Sequence, residues 1–222
     1  MKKEIILTLL ALALLTACSS PELEVTSSQT EKEQTSTSEP VEMTDAKTVL
    51  QLADGMYVLN TQKSTLGWTA SRIVGIPHVG TVSLREGVLI AEKDSLWGDF
   101  TIDLNSISES KNNSRFLTHV KSADFFDVET YPTSQFTINS AEKTGTDSYS
   151  LTGELTIKDI TREITFPATF LFEGDSLLAN ASFEINRLDW NITYDSGSIF
   201  GELGDKAIKD EIGYALLLVF EA

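Results

Sequence analysis

Short runs in which apolar and polar residues alternate fill the chain from Tyr57 onward. Alternation with a period of two places every second side chain on one face of a β-strand, and the apolar face turns toward a core. Four runs carry this pattern most clearly, at 100–104, 151–157, 164–172 and 177–185. Several short strands of this kind, separated by turn residues, predict an all-β sandwich or barrel.

Turn residues between the runs indicate how the strands connect. Clusters at 85–87, 145–147 and 173–175 combine glycine with charged or small polar residues, and we expect each to form a tight turn between antiparallel neighbours. No stretch suits a crossover helix, so the predicted order is a meander. The segment 212–220 is apolar at nearly every position, which predicts a strand that closes the barrel or is covered on both faces.

One segment has helical rather than strand periodicity. Phe116, Leu117 and Val120 recur at a spacing of three to four residues, and Ser114 is placed to cap the first turn. The sequence therefore predicts one short helix, which we expect to cover an end of the barrel. Strands with a single helix suit one domain, and we assign it to 56–222.

The first residues have the features of an export signal. Lys2 and Lys3 precede an apolar run at 5–15 that is too short to span a bilayer. The sequence Leu-Thr-Ala-Cys at 15–18 resembles the lipobox of bacterial lipoproteins, in which the peptide is cut before a cysteine that carries acyl chains. We therefore expect a signal peptide at 1–17 and lipidation of Cys18, the alternative being an ordinary secretory signal. Ser19 favours sorting to the outer membrane, facing the periplasm.

Residues 18–55 are predicted to link the acylated Cys18 to the barrel. Ser, Thr, Glu and Gln dominate 19–43, where no apolar periodicity would support a core, so we expect a disordered acidic tether. A weak helical patch at 44–53 leads into the fold. The alternative role for the tether is a partner-binding segment. Cys18 is the only cysteine, so the domain must be stable without an internal disulfide.

Net charge narrows the set of partners. The formal charge is −16 at pH 7, which repels nucleic-acid phosphates and anionic lipid surfaces. We therefore expect no nucleic-acid partner. Membrane attachment is expected through the acyl anchor, since each buried methylene contributes about 0.8 kcal/mol.

Several motifs together resemble the YceI-like family. They are the segments 119–128 (HVKSADFFDV), 131–132 (YP), 153–162 (GELTIKDITR) and 185–190 (INRLDW), with Trp68 and His78-x-Gly80 in the opening strands. The resemblance covers roughly 56–222. It implies a single antiparallel lipocalin-like β-barrel of about eight strands, whose interior holds one elongated apolar ligand of polyisoprenoid or fatty-acyl type. It implies no catalytic activity and is compatible with a homodimer.

The inward faces predict which side chains line such a cavity. Phenylalanines recur at one parity on several runs, and an apolar pocket with few polar groups suits a prenyl or acyl chain. The same rings can instead fill the barrel, which would leave a structural lipoprotein whose surface binds a protein partner. The candidate wall residues are Trp68, Phe100, Ile102, Phe136, Leu155, Phe166, Phe170 and Phe183.

Three polar side chains are candidates for holding the polar end of a ligand. Arg187 lies in a turn, where its planar guanidinium can clamp an anionic headgroup or pair with a nearby acid and fix the loop. His78 and His119 can meet near one barrel mouth or act as hydrogen-bonded structural residues. Some relatives have His at Arg72 and many have Asp at Phe116, so the polar end can be held differently here.

Residues for catalysis or metal binding form no recognisable pattern in the sequence. Two separated histidines and a cysteine assigned to lipidation are too few ligands for a metal site. The segment 196–201 lacks the Gly-x-Ser-x-Gly spacing of a nucleophile elbow, and the sequence has no phosphate-binding or dinucleotide-binding fingerprint. We therefore predict a binding protein with no cofactor and no enzymatic activity.

Overall fold

The computed structural model describes residues 52–93 and 95–221. Within them lie nine strands, one α-helix and three short 3-10 helices. The strands are β1 (Gly55–Leu59), β2 (Thr65–Ala70), β3 (His78–Glu92), β4 (Ser95–Asp103), β5 (Thr133–Lys143), β6 (Ser148–Ile157), β7 (Ile160–Glu173), β8 (Ser176–Asn186) and β9 (Glu211–Glu221). The α-helix, α1, spans Ser114–Lys121, and the 3-10 helices span Leu104–Ser106, Arg187–Trp190 and Gly204–Lys206. No helix in the two described ranges is long and apolar enough to cross a membrane.

The strands close into an antiparallel barrel. From β3 to β9 each strand pairs with the next one along the chain, which confirms the predicted meander. Closure comes from β1 and β2, which lie end to end between β3 and β9. Strand β1 pairs with the C-terminal half of β3, and β2 pairs with its N-terminal half. Both strands also pair with β9. Nine strands therefore fill eight positions, and the predicted antiparallel barrel of about eight strands is confirmed.

One of the three predicted turns is wrong. The segment 85–87 lies inside β3, where the pairing with β4 shifts register between Leu84 and Glu86 and produces a β-bulge. Gly87 serves a close approach rather than a turn, since a Cβ there would lie 2.6 Å from Cδ1 of Phe100. The glycine and its charged neighbours therefore mark a place where the barrel wall bends around an aromatic ring.

Two further local predictions are corrected by the structure. The residue that caps α1 is Asn113, whose Oδ1 accepts the Phe116 N–H at 3.2 Å, while Ser114 is the first helical residue. Asn and Ser are both good caps, so the sequence does not separate these adjacent candidates. Phe172 was predicted to face inward, but it is 42% exposed because it lies at the end of β7, beyond the packed interior.

The two ends of the barrel differ in their connections. One end, which we call the turn end, holds the tight turns at 145–147 and 173–175, as predicted, together with the start of β1. The other end, the helix end, holds the long connections 104–132 and 187–210, the shorter connection 71–77 between β2 and β3, and one tight turn, 158–159. Since neighbouring strands run in opposite directions, these connections all fall on one side. The helix lies among them, so the predicted helix at a barrel end is confirmed.

Side chains pack tightly at the turn end. Leu89, Phe170, Leu177 and Phe220 come from the strand segments at this end, and each is at most 1% exposed. All four belong to one apolar core cluster that runs along the interior. They close the barrel on this side, so an internal space can reach solvent only toward the helix end.

Candidate ligand-binding cavity

The interior of the barrel contains a cavity of about 320 Å³. This volume lies at the lower end of the range for ligand pockets, roughly 300–1,000 Å³. Inward side chains of β2 to β9 form its walls. The structure brings together all eight wall residues predicted from the sequence, namely Trp68, Phe100, Ile102, Phe136, Leu155, Phe166, Phe170 and Phe183.

A row of aromatic rings crosses the cavity wall from β5 to β9. The ring centroids of Phe136 and Phe166 are 5.5 Å apart, and those of Phe166 and Phe183 are 4.1 Å apart. Tyr214 extends the row, with its centroid 5.7 Å from that of Phe183. Stacked and tilted contacts between neighbouring rings favour fixed ring orientations, so this part of the wall is a well-ordered apolar surface. Tyr214 was not among the predicted wall residues, because the apolar residues of β9 show no alternation.

Three small side chains explain why the interior is not filled. Ala168 on β7 pairs directly with Ala181 on β8, and Ala179 lies two residues earlier on β8. All three line the cavity. Protein interiors are normally close-packed, and a larger apolar residue at any of these positions would occupy the space. The alanines therefore leave room beside the aromatic row.

Polar wall residues collect at the helix end. They include Ser71, Arg72, His78, His119 and Tyr194, whereas the deeper wall is almost entirely apolar. The side chains of Arg72, His78 and His119 are between 36% and 48% exposed, so the cavity reaches solvent among them. We call this region the mouth. An apolar body with a polar mouth suits a molecule that has a long apolar chain and a polar end.

His78 is held at the mouth by a buried acid. Its Nδ1 lies 3.2 Å from Oε1 of Glu109, and its ring stacks on Phe116 with centroids 4.1 Å apart. The fully buried Glu109 carboxylate also accepts the amide N–H groups of Lys111 and Asn113. Burial alone would raise the pKa of Glu109, but the hydrogen bonds from Asn113, His78 and Lys111 lower it below its usual value. This cluster fixes the connection before α1 against β3.

The motif of Trp68 with His78-x-Gly80 has a packing explanation. Trp68 pairs with Gly80 across β2 and β3, and a Cβ on Gly80 would lie 2.6 Å from Cζ2 of Trp68 and would collide with the carbonyl oxygen of Ser108. The missing side chain lets the connection after β4 cross the sheet here. Phe116 then covers Trp68, with ring centroids 6.0 Å apart.

His119 also lies at the mouth, with a carboxylate partner of its own. Its Nε2 is 2.9 Å from Oδ2 of Asp124, and its ring meets Phe125 and Tyr194 edge-on at centroid distances of 5.1 and 4.6 Å. The two histidines therefore line one mouth but serve separate clusters. Within residues 52–93 and 95–221, no group of three or more His, Cys, Asp and Glu side chains is placed to hold a metal ion.

Arg187 is only 2% exposed, and its hydrogen bonds are internal. The guanidinium donates to the carbonyl oxygens of Ile192, Ile208 and Lys209 at 2.6, 3.2 and 3.1 Å, and to Oδ1 of Asp210 at 3.1 Å. Burial lowers the pKa of Arg187, and the negative charge of Asp210 opposes that shift. Four N–H donors are used within the protein, which favours a role in fixing this connection over a role as headgroup clamp.

Replacing Arg187 by Met tests the structural role. The change leaves Asp210 buried without its partner, so we expect the free energy of unfolding to fall by about 3–5 kcal/mol. Chemical denaturation followed by circular dichroism measures this loss. The double variant Arg187→Met/Asp210→Leu removes both charges and should recover part of the stability. A single variant as stable as the wild type would contradict the structural role.

The fold and the cavity together define a class of protein, a closed antiparallel β-barrel with an apolar interior and a polar mouth. Comparison with family models identifies the group within that class, because the YceI-like domain matches residues 57–220. This chain belongs to the YceI-like family, which confirms the resemblance inferred from its motifs.

Sequence relatives match parts of the chain. A UPF0312 protein of Pseudomonas putida is 39% identical over 74 residues, which cover 33% of this chain and 38% of that protein. The protein YceI of Escherichia coli is 32% identical over 112 residues, which cover 48% of this chain and 58% of the relative. The chain thus spans less than two thirds of the length of either relative.

Solved structures with the same fold match most of the chain. BcnA of Burkholderia cenocepacia aligns with a TM-score of 0.61 at 23% identity, covering 72% of this chain and 98% of BcnA. A polyisoprenoid binding domain from Saccharophagus degradans aligns with a TM-score of 0.59 at 14% identity, covering 75% of this chain and 98% of that domain. At these identities the similarity establishes the barrel fold.

Proposed function

We propose that this chain is an envelope lipoprotein that carries or sequesters one elongated apolar ligand, of polyisoprenoid or fatty-acyl type, inside its barrel. The observation that supports this most directly is the apolar cavity with a polar mouth at one end. A prenyl or acyl chain along the aromatic wall would be removed from water, and the burial of its methylenes would supply the affinity. The similar barrel from Saccharophagus degradans is named a polyisoprenoid binding domain, which is consistent with this ligand class.

Tyr214 offers a polar contact within the apolar cavity. It lines the cavity from β9, opposite Trp68 on one side and Phe183 on the other. No hydrogen bond of its hydroxyl lies within residues 52–93 and 95–221. Burial raises the pKa of Tyr214 to about 12, so the hydroxyl stays protonated at neutral pH. A ligand with a hydroxyl, carbonyl or carboxyl group could accept a hydrogen bond there.

Substituting Ala181 by Phe tests whether the cavity is the binding site. The added ring would occupy the ligand's space, so we expect affinity for palmitic acid and geranylgeraniol to fall by about tenfold or more. The free energy of unfolding should change by less than about 1 kcal/mol, because an empty interior accepts added volume without strain. Native mass spectrometry of protein from envelopes identifies the natural ligand, and titration after organic extraction measures the affinities.

The matched control for the cavity test is Ser182→Phe. This variant adds the same ring one residue further along β8, on the exposed outer face, and should bind ligand normally. A packed barrel predicts different results: no extractable lipid, no saturable binding, and a stability loss of about 1–3 kcal/mol in Ala181→Phe from overpacking. That outcome would favour the alternative of a structural lipoprotein whose surface binds a protein partner.

Replacing Tyr214 by Phe removes only the hydroxyl. We expect affinity for palmitic acid or geranylgeraniol to fall about 2- to 10-fold, as a net hydrogen bond of roughly 0.5–1.5 kcal/mol implies, and affinity for hexadecane to stay the same. For geranylgeraniol, which has no titratable group, the ratio between variant and wild-type affinity should be constant from about pH 6 to pH 9, because the Tyr214 hydroxyl remains protonated. Competition with a fluorescent fatty acid measures these affinities. Equal binding of the polar ligands by both proteins would rule out this contact.

The proposed anchor is Cys18, which lies outside the described residues. We propose that acylation there holds the protein at the outer membrane, facing the periplasm. In Cys18→Ser the thiol that receives the diacylglycerol is gone, so labelled palmitate should not be incorporated and the uncleaved precursor should accumulate. Metabolic labelling, fractionation and mass spectrometry of the mature N-terminus test this. A wild-type protein that is cleaved, unlabelled and soluble would indicate an ordinary secretory signal instead.

A further inference from the structure

Two turns at the helix end expose large apolar side chains to solvent. The connection between β2 and β3 carries Ile73, Val74 and Ile76, and the connection before β9 carries Ile199 and Phe200. These five side chains are between 48% and 77% exposed. Single exposed apolar residues are ordinary on protein surfaces, but a group of them commonly marks a site of interaction with a protein or a membrane. We call these five residues the mouth patch.

Both turns are held by the same short segment of chain. The Ile73 N–H donates to the carbonyl oxygen of Ala207 at 2.8 Å, and Arg72 and Ser196 each form a β-bridge with Ile208. Arg187 also donates a hydrogen bond to the carbonyl oxygen of Ile208, so the segment that holds both turns is itself fixed to the barrel. The two turns of the mouth patch therefore project from one fixed base.

The segments that carry the mouth patch also form part of the cavity wall. Arg72 and Ile208 line the cavity, as does Tyr194, two residues before the bridge at Ser196. The exposed apolar surface thus borders the mouth directly. An apolar ligand leaving the cavity on this side would pass beside the mouth patch before it reached bulk water.

We propose that the mouth patch docks on the surface of a lipid bilayer and inserts its apolar side chains among the lipids, so that the mouth opens toward the membrane. This inference rests on the proposed function, because a ligand of prenyl or acyl type resides in a bilayer when it is not in the barrel. Insertion of five apolar side chains into the interface would be driven by their removal from water.

The course of the chain is compatible with this orientation. Strand β1 begins at the turn end, where the Lys93 N–H donates to Oδ1 of Asp54. The preceding residues therefore join the barrel at the end opposite the mouth. From Ser19 to Asp54 there are roughly 36 residues, which can reach about 120 Å when extended. The longest strand, β3, has 15 residues and spans about 50 Å. An anchor at Cys18 would therefore leave enough chain for the barrel to turn its helix end to the membrane.

Charge indicates which bilayer surface the mouth patch would meet. The net charge of −16 opposes approach to an anionic surface, so binding by apolar insertion should be strongest on zwitterionic lipid. The occupant that we propose is accordingly the surface of a phosphatidylcholine-like bilayer. A second copy of the chain and a protein partner are the competing occupants.

Vesicle binding without the acyl anchor tests this proposal. The barrel closes on itself around its own core, so the chain from residue 19 onward keeps the whole described fold. It should float with phosphatidylcholine vesicles, and Ile76→Asp and Phe200→Asp should each lower the partition coefficient by about tenfold or more. The controls are Met56→Asp and Trp97→Asp, which are 60% and 41% exposed and flank Ile90 in a second exposed apolar group on the outer wall near the turn end. These controls should change partition by less than about twofold.

A position-specific readout separates docking from nonspecific adhesion. Lipids brominated on their acyl chains should quench the fluorescence of Phe200→Trp more than that of the wild type, whose signal comes from Trp68, Trp97 and Trp190 alone. Absence of wild-type flotation, or an equal loss in the Met56→Asp and Trp97→Asp controls, would overturn the proposal. Self-association seen by sedimentation velocity and abolished by Ile76→Asp would also overturn it, since the patch would then join two copies of the chain.

Ligand titration keeps this proposal distinct from the proposed function. Ile76→Asp should bind dissolved palmitic acid as tightly as the wild type, because the deep wall is unchanged. If the wild type docks on vesicles but binds no ligand, the proposed function fails and docking stands. If it binds ligand but docks no better than Ile76→Asp, docking fails and the proposed function stands.

Discussion

Closure of the sheet is the constraint on which the rest of the structure depends. Two short strands, β1 and β2, complete the ring of backbone hydrogen bonds between β3 and β9, so the sheet has no free edge. A barrel with eight positions has an interior that side chains can fill or that can hold one small ligand. Side-chain volume decides between these outcomes. Here the alanines at 168, 179 and 181 leave the space that the rings around them do not occupy.

The cavity is asymmetric because the two ends of the barrel differ. Tight turns and fully buried side chains close the turn end, where almost all of the wall residues are apolar. The helix end has long connections, whose backbone polar groups need partners when they are buried. Glu109 and Arg187 supply those partners, one for the connection before α1 and the other for the connection before β9. Buried charges thus fix the connections at the helix end.

Local patterns predicted the barrel wall well. Alternation with a period of two is a property of neighbouring residues, so it identified inward positions such as Phe166 and Phe183 without knowledge of the pairing. It failed where every residue is apolar, which is why Tyr214 was missed on β9. The turn predicted at 85–87 was wrong because a glycine beside charged residues is typical of a turn. Here Gly87 instead makes room for the ring of Phe100 inside β3.

Long-range partners lay beyond what the sequence could predict. His78 and Glu109 are 31 positions apart, and Arg187 and Asp210 are 23 positions apart, so no local spacing indicates either pair. In so acidic a chain any carboxylate is a candidate partner. The exposed residues around Ile73 and Ile199 raise a related difficulty, because an apolar residue in a sequence is normally assigned to the core. Only the fold shows that these side chains are exposed at the helix end.

The wall and the mouth patch would control different properties of a lipid carrier. A prenyl or acyl chain is removed from water both in a bilayer and in the cavity, so its transfer between them should be close to balanced in free energy. Crossing water is the costly step, at about 0.8 kcal/mol for each exposed methylene, or roughly 8 kcal/mol for ten of them. A mouth that opens toward the lipid shortens that exposure without changing either end state. The proposed mouth patch should therefore set the rate of loading, while the aromatic wall and Tyr214 set the affinity.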